Sequence, residues 1–342
     1  MLTIKDIAKL AGVSQATVSK ALNNRPDIGL VTKSKILEIV KEVQFSPDAF
    51  AKSLKNRCSE NIGVIFGRVT SPLSGNPFFS KVLEGIEAEI AVNNFNLILQ
   101  ILYNRYTDQL PKMVRERRVE GLILVGIFDK RFIDAITEKN IPIVFVDPKE
   151  NMPHFTQILI DNEQGALLAT QYLINAGHER IGFISGDTAR MSFRQRFEGY
   201  RKALIYNGIE LRDNFVKTGG IEKGYEHVKK LLMHESLTAI FAANDINAIY
   251  GYKAIHEMGL RIPDDISIIG FDDIELAKIS SPPLTTIRVY KEELGSIAVR
   301  TLLRIIKKEI HETATMVVIP VKLIERKSVK IHQAKNSLKR TR

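Results

Sequence analysis

Several residue types are scarce or missing in this chain of 342 residues. It contains no tryptophan and a single cysteine, Cys58, which excludes an internal disulfide and any metal site built from several cysteines. No run of about 18 uncharged apolar residues occurs, so the sequence predicts no membrane-spanning helix. The first residues lack the apolar stretch and the small-residue cleavage site of a signal peptide. We therefore expect a cytoplasmic protein.

Signature motifs of common enzymes are missing as well. No G-x-G-x-x-G follows a strand-like segment, and the chain has no Walker lysine motif, no G-x-S-x-G elbow and no His-x-x-x-His pair. His178 lies where a predicted helix stops and a strand starts, which favours a capping role, and the other histidines are scattered without pairing. The sequence therefore predicts no catalytic residue, no metal site and no cofactor.

The net charge of +10 is concentrated at the two ends of the chain. Residues 1–60 carry ten Lys and Arg against six Asp and Glu, and residues 326–342 carry seven Lys and Arg without an acid. Residues 61–325 are close to neutral, with 32 basic and 33 acidic residues. A basic N-terminal module is typical of a protein that binds a polyanion such as DNA. We interpret the tail over 329–342 as a disordered, solubilising end rather than a second nucleic-acid site.

Residues 1–45 have the periodicity of three short helices. Apolar residues at 4, 7, 8 and 11 predict a first helix that is capped by Thr3, and a third helix is expected from Thr32. Between them Ser14 caps a second helix, whose buried side carries Val18, Ala21 and Leu22 and whose opposite side carries Gln15, Ala16, Ser19, Lys20 and Asn23. A two-turn helix with one buried, apolar face and one face of small and hydrogen-bonding groups suits the major groove of DNA.

The segment over 46–60 distinguishes a DNA-binding headpiece from a plain three-helix bundle with a solvated polar face. It opens with a Ser-Pro helix start and continues as a short helix that is marginal by itself in water. Ala51 and Leu54 share one face of this helix, flanked by Lys52 and Lys55. An apolar tip between two cations is the layout of a minor-groove wedge with phosphate clamps. We interpret this segment as a hinge helix and linker.

From residue 61 onward, short apolar runs alternate with amphipathic stretches. A first series of predicted strands comprises Ile62–Phe66, Leu97–Leu102, Leu122–Ile127 and Ile143–Val146. A second series comprises Ile158–Ile160, Ile181–Ser185, Ala239–Ala243 and Ile266–Gly270. Such alternation predicts parallel sheets covered on both faces, and two series predict two doubly wound lobes over 61–328. Leu284–Val289, a helix over 291–308 and Met316–Leu323 are interpreted as return crossings between the lobes.

Four segments of the chain resemble the lactose-repressor/galactose-repressor family of bacterial transcription regulators. They are Thr3–Ala8, Ala11–Ser14, Thr17–Asn23 and Ser46–Leu54. The resemblance extends to about residue 328. It implies an all-α helix-turn-helix headpiece joined to a two-lobed, doubly wound α/β sensor like the periplasmic binding proteins. One departure is the run Ile28–Val31, where the family has a more acidic and polar turn.

The resemblance also implies roles for single residues of the DNA-binding part. Gln15, Ala16 and Lys20 would contact bases, while Thr17, Ser19 and Asn23 would mostly hold phosphates. Leu54 would enter the minor groove beside Ala51. We expect Thr3, Ser14 and Lys55 to complete this DNA-binding set.

Candidate residues for a small-molecule site follow the predicted strands, because ligands of doubly wound sheets bind beyond the carboxyl ends of the strands. They are Phe78, Phe79, Asp147, Ser192, Arg196, Asn244 and Asp272. The resemblance implies that the positions of the last five hold the effector. Gly219 stands near where some sugar-binding members have a tryptophan, and Val289 replaces a polar group. A lactose-like galactoside is therefore not expected.

Together these features predict a sequence-specific DNA-binding transcription regulator, more specifically a repressor, controlled by a sugar or sugar derivative. It would bind a pseudo-palindromic double-stranded DNA operator as a homodimer, because headpieces of this kind read half-sites in symmetric pairs. A tetramer is not expected, because residues 329–342 lack the leucine heptads that join two dimers in some family members. The alternative is a regulator controlled by a phosphoprotein partner in catabolite control, contacted by Arg300 and Arg304. A secreted sugar-binding protein would carry a signal peptide and would not need the headpiece.

Overall fold

The computed structural model describes residues 3–22, 25–43, 59–69, 72–103, 109–220, 223–310 and 314–331. Its contacts divide the chain between Glu60 and Asn61 into two compact units. We call the first unit the headpiece and the second the core domain. The hinge helix expected over 46–60 lies, as far as residue 58, outside the described residues.

The headpiece contains α1 (Ile4–Ala11), α2 (Gln15–Leu22) and α3 (Leu30–Glu42). Thr3 and Asp6 form a capping box at the start of α1, and Gly12 ends that helix with a left-handed backbone, φ 68°. Buried apolar side chains from all three helices form one small core: Ile7, Ala8, Ala11, Val18, Ala21 and Ile36. The helices expected from periodicity are therefore present.

The third helix begins two residues earlier than the sequence suggested. We expected it from Thr32, but the helix starts at Leu30, because the amide of Lys33 already donates to the Gly29 carbonyl at 3.0 Å. Leu30 and Val31 are 80% and 86% exposed, so their apolar character does not reflect burial within the described headpiece.

The core domain has two sheets, each in its own lobe. The strands of the first lobe are β1 (Asn61–Val69), β2 (Asn96–Tyr103), β3 (Gly121–Gly126), β4 (Ile143–Val146), β5 (Thr156–Ile160) and β11 (Met316–Ile319). Those of the second lobe are β6 (Ile181–Ser185), β7 (Val216–Thr218), β8 (Ala239–Ala242), β9 (Ser267–Asp272), β10 (Thr285–Arg288) and β12 (Lys322–Ile324). The spatial orders are β11-β5-β4-β3-β1-β2 and β12-β10-β9-β8-β6-β7. The strand pairs are parallel except β10–β12.

Helices connect and cover these strands. They are α4 (Phe79–Val92), α5 (Lys112–Arg115), α6 (Lys130–Thr137), α7 (Asn162–Asn175), α8 (Met191–Tyr206), α9 (Gly224–His234), α10 (Asp245–Glu257), α11 (Glu275–Ile279) and α12 (Lys291–Ile306). The two-lobed, doubly wound arrangement expected from the alternating pattern is confirmed. None of the helices in the described part of the chain is long and apolar enough to cross a membrane.

One predicted strand, β5, lies in the first lobe and not in the second lobe, where it was expected. Ile158–Ile160 was expected to open the second series, but β5 pairs with β4 and β11 in the first sheet. The chain passes into the second lobe only after β5, through α7. A buried parallel strand is apolar in either sheet, so its composition does not reveal which one it joins.

The helix that carries two of the candidate residues, α8, is anchored in the core of the second lobe. Tyr200 stacks on Phe183 with ring centroids 5.0 Å apart, and its hydroxyl donates to the Ile181 carbonyl at 2.8 Å. Tyr200 is completely buried, and burial raises its pKa above the usual range. This anchor, one helical turn after Arg196, fixes the position of the Arg196 side chain at the carboxyl edge of the sheet.

Candidate DNA interface and effector site

The second helix of the headpiece has two different faces. Val18 and Ala21 are buried in the small core, whereas Gln15, Ala16 and Lys20 are exposed. The face expected to contact bases is therefore free of the headpiece core. Its groups can enter a groove without disturbing the packing that holds the helix.

Of the hydroxyl-bearing candidates, Thr3, Ser14 and Thr17 lie at helix starts, and Ser19 lies in the middle of α2. The Ser14 hydroxyl accepts a hydrogen bond from the Thr17 amide at 3.1 Å and lies 2.9 Å from the Thr17 hydroxyl. The Thr3 hydroxyl donates to the Asp6 carboxylate at 2.7 Å. Thr17 and Ser19 are half-buried. Helix N-termini and hydroxyls are common phosphate contacts, so their placement fits the expected role in holding DNA.

The structure adds a residue that the sequence reasoning missed. The Lys20 ammonium forms an ion pair with the Asp27 carboxylate at 2.7 Å, and both side chains are about half exposed. The hydrogen bond from Lys20 holds the pKa of Asp27 below its usual value. A base contacted by Lys20 would compete with this ion pair for the ammonium group.

We expect Asp27→Asn to raise the affinity for a random-sequence DNA duplex by about two- to fivefold, because an exposed ion pair is worth up to about 1 kcal/mol. Fluorescence anisotropy at low salt measures the change. The matched control is Asp134→Asn, which removes an equal charge from an exposed pair with Lys130 on the core domain. Equal gains in both variants would show that only net charge matters.

The remaining DNA-binding candidates lie outside the described residues. These are Asn23, Ala51, Leu54 and Lys55. Their expected roles in holding phosphate and in entering the minor groove stay predictions.

Arg196 is the centre of the small-molecule candidates. Its Nη1 lies 3.1 Å from Asp272 Oδ1 and donates to the Ala243 carbonyl at 2.6 Å, while its Nε donates to Asn162 Oδ1 at 2.9 Å. The guanidinium stacks 3.7 Å over the Phe271 ring. Arg196 and Asp272 are 4% and 7% exposed. The residues are therefore a buried ion pair in a fixed geometry at the carboxyl edge of the second sheet.

A second carboxylate faces this pair from the first lobe. Asp147 follows β4 with a left-handed backbone, φ 47°. Burial raises the pKa of Asp147 and of Asp272, and the charge of Arg196 opposes both shifts. Beside Asp147, the Met191 amide of the second lobe donates to the Lys149 carbonyl of the first at 2.8 Å. Residues of both lobes thus meet at this point.

The other predicted side chains are positioned by helix starts. Asn244 is buried and caps α10, since its Oδ1 accepts from the Asn247 amide at 3.0 Å. Ser192 is buried in the first turn of α8, one turn before Arg196. The structure thus brings Ser192, Arg196, Asn244 and Asp272 to the carboxyl edge of the second sheet, and Asp147 faces them from the first lobe.

The aromatic pair lies at the start of α4 in the first lobe. The Asn76 side chain accepts hydrogen bonds from the amides of Phe78 and Phe79 at 3.1 and 3.0 Å. The two rings contact edge to face, and Phe79 packs in the same way on Phe66 with centroids 5.8 Å apart. Both rings are half-buried, and no described contact links them directly to the Arg196 cluster.

Several residues of the site were missed from the sequence. Asn162 holds Arg196. Asp245 accepts from Thr286 at 2.5 Å and from the Ile274 amide at 2.9 Å. Lys291 and Asp273 complete the set, since the Lys291 ammonium donates to the carbonyls of Asp272 and Asp273. Asp245 and Asp273 stand at the same strand ends as Asn244 and Asp272, but the sequence assigned binding only to the first residue of each pair.

Arg300 and Arg304 lie on the exposed side of α12. The Nε of Arg300 is 3.5 Å from the Glu89 carboxylate, and the Nε of Arg304 is 3.9 Å from that of Glu309. Both side chains are more than half exposed. These weak pairs are typical of a solvated helix face, and the phosphoprotein alternative stays untested.

Chemically, the Arg196 cluster combines a fork of N–H donors with acceptors on both lobes. Such a set can orient a polar, uncharged molecule by alternating hydrogen bonds. Among the described residues, no group of three or more histidine, cysteine, aspartate or glutamate side chains is placed to hold a metal ion.

Comparison with known proteins gives two matches to protein families. Residues 3–48 match the bacterial regulatory proteins of the lacI family, and residues 170–329 match a periplasmic binding protein-like domain. The chain is 36% identical over 337 residues to the HTH-type transcriptional repressor PurR of Photobacterium profundum, covering 96% of this chain and 99% of that protein.

Solved structures agree with this match. The lac repressor dimer bound to operator and the anti-inducer ONPF superposes with a TM-score of 0.84 at 27% identity, covering 96% of this chain and 99% of that one. The transcriptional regulator CelR in complex with cellobiose gives a TM-score of 0.71 at 25% identity, with 96% and 100% coverage. The chain therefore belongs to the lacI family of bacterial regulatory proteins, which are transcription regulators and not enzymes.

Proposed function

We propose that this chain is a cytoplasmic, homodimeric repressor that binds a pseudo-palindromic DNA operator, and that a small carbohydrate between its two lobes sets its affinity for DNA. The observation that carries the proposal is the buried Arg196–Asp272 ion pair, which faces Asp147 of the other lobe. A ligand that contacts both lobes couples their arrangement to its own binding.

The DNA part of the proposal is supported by the exposed face of α2 and by the basic headpiece. A single headpiece offers too small a contact to hold an operator alone, and headpieces of this kind read half-sites in symmetric pairs. The lac repressor, similar over nearly the whole chain, is a dimer in its operator-bound structure.

The carbohydrate part is supported by the balance of charge in the site. Arg196 faces two carboxylates, and Arg190, which lies close enough to Asp147 to oppose the rise of its pKa, is a second cation. Two cations against two carboxylates leave no excess of positive charge for a phosphorylated compound. Sugar hydroxyls both donate and accept, which suits Arg196, Asp272 and Asn244 together. CelR, a structural relative, has a sugar in its complex.

Isothermal titration calorimetry against sugars, sugar phosphates, uronates and nucleobases tests this proposal. We expect a neutral or weakly acidic carbohydrate to bind most tightly. Asp272→Ala should weaken that binding by about 1.5–3 kcal/mol, because hydrogen bonds to a charged group are the strong ones. The variant should still bind DNA, but without a response to the sugar.

The proposal makes two statements that can be contradicted separately. Tight binding of a nucleobase would replace the carbohydrate by another effector class and leave the DNA-binding assignment intact. Unchanged sugar binding after loss of both Arg196 and Asp272 would show that the sugar binds elsewhere.

A further inference from the structure

Lys291 has a buried ammonium group at the carboxyl edge of the second sheet. It is the first residue of α12 and is 5% exposed. Its Nζ donates to the carbonyls of Asp272 at 2.5 Å, Asp273 at 3.1 Å and Val289 at 3.2 Å. A lysine ammonium has three donors, and here all three are used by backbone carbonyls.

The backbone that Lys291 holds is an unusual one. Asp272 and Asp273 have φ values of 113° and 52°, which residues with a side chain rarely adopt. This turn places the Asp272 carboxylate against Arg196 and sends the Asp273 carboxylate to Arg288 and Arg326, each at 2.6 Å. The contacts of Lys291 with both carbonyls therefore stabilise the backbone on which the Asp272 side chain depends.

The helix that begins at Lys291 packs on the first lobe. A Cβ atom added to Gly295 would lie 2.2 Å from the Val82 carbonyl oxygen, and one added to Gly85 would lie 1.9 Å from that of Glu292. Ser296 also donates to the Gly85 carbonyl at 3.1 Å. The backbones of α12 and α4 are thus in direct contact, and α4 is the helix that begins at the Phe78–Phe79 pair.

We propose that Lys291 is a positioning residue, which sets the Asp272 carboxylate for the effector and fastens this strand end to α12 and thereby to α4. The part that concerns the effector rests on the proposed function. One continuous set of contacts then joins the carboxylate of the second lobe to the aromatic pair of the first. A displacement at Asp272 then reaches α12, and with it the first lobe, through the Lys291 side chain.

Hydrogen exchange of the full-length protein without any ligand tests whether Lys291 stabilises the backbone at Asp272 and Asp273. In Lys291→Met, the amides of Ile274 and Val289 should exchange at least tenfold faster. Ile274 shares its peptide unit with the Asp273 carbonyl, the Val289 amide donates to the Asp272 carbonyl at 3.4 Å, and both carbonyls lose the lysine as a donor. Peptides from β3 and α1 should not change. Lys291→Arg keeps several donors and should restore most of the protection.

The control variant is Lys278→Met, which removes an ammonium from the same lobe. Lys278 is on α11, is 44% exposed and pairs with Glu275 at 2.6 Å. It should leave the exchange of Ile274 and Val289 unchanged. The carboxyl carbon resonance of Asp272 should also titrate at a higher pH in Lys291→Met than in the wild type, because the charge of Lys291 lowers the pKa of Asp272.

Three results would overturn the proposal: unchanged exchange at Ile274 and Val289, equal acceleration in both lobes, or an equal effect of Lys278→Met. The first would mean that the turn at Asp272 and Asp273 is stable without Lys291. The second would mean that Lys291 contributes only to the overall stability of the protein. The exchange experiment uses no effector, so its result can be interpreted even if the carbohydrate proposal is wrong.

Discussion

Arg196→Met should lower the free energy of unfolding by about 3–5 kcal/mol, because it leaves the buried Asp272 carboxylate without its charged partner. The loss also removes the donors to Asn162 and to the Ala243 carbonyl. Urea unfolding at pH 7 followed by circular dichroism measures the effect. Binding of the carbohydrate should be lost at the same time.

Arg201→Met provides the matched control on the same helix. Arg201 pairs with Glu198 at 2.7 Å, but both side chains are more than a third exposed. Exposed pairs contribute at most about 1 kcal/mol, so this variant should unfold almost as the wild type does. A similar loss in both variants would show that the burial of Arg196 has no special importance.

Asp245→Asn should make the free energy of unfolding less sensitive to rising pH. Asp245 is completely buried, and burial together with the charge of Asp272 raises its pKa to about 8. In the unfolded chain an aspartate titrates near pH 3.9. Between these two values the folded protein retains a proton that the unfolded chain has lost, so raising the pH removes stability from the wild type.

The expected result is a difference that grows with pH. Relative to the wild type, the free energy of unfolding of Asp245→Asn should increase by up to about 1.4 kcal/mol for each pH unit between pH 4 and 8, and should then level off. Urea unfolding at pH 5, 6, 7 and 8 measures this slope. A difference that is independent of pH would show that Asp245 is already ionised in the folded protein.

Local signals explain why much of the fold could be predicted from the sequence. The capping box of Thr3 and the left-handed Gly12 are set by neighbouring residues, so the ends of α1 follow from the sequence. The apolar runs of both lobes mark strands because a parallel sheet is buried on both faces. The lobe to which β5 belongs could not be predicted, because a buried parallel strand is apolar in either sheet and one of its two partners, β11, lies more than 150 positions away.

The residues of the candidate site could likewise be predicted only in part. Arg196 and Asp272 stand at helix and strand positions that point to a ligand site in a doubly wound fold. Asn162 acts through a partner 34 residues away, and Lys291 holds two carbonyls that are 18 and 19 residues away, so no local pattern identifies these roles. Lys291 in particular has the sequence appearance of an exposed residue in a first helical turn, and only the packing of α12 places it in the interior.

Selection of double-stranded DNA from a random pool by the full-length protein tests the central claim most directly. We predict an enriched sequence of two symmetric half-sites, whose preferred base pairs change when Gln15 is replaced by alanine. Affinity for this sequence should fall with salt at a slope of about −0.9 per phosphate, which for roughly five to ten contacts is a steep dependence. Enrichment of no symmetric sequence, or binding that does not depend on salt, would contradict the account.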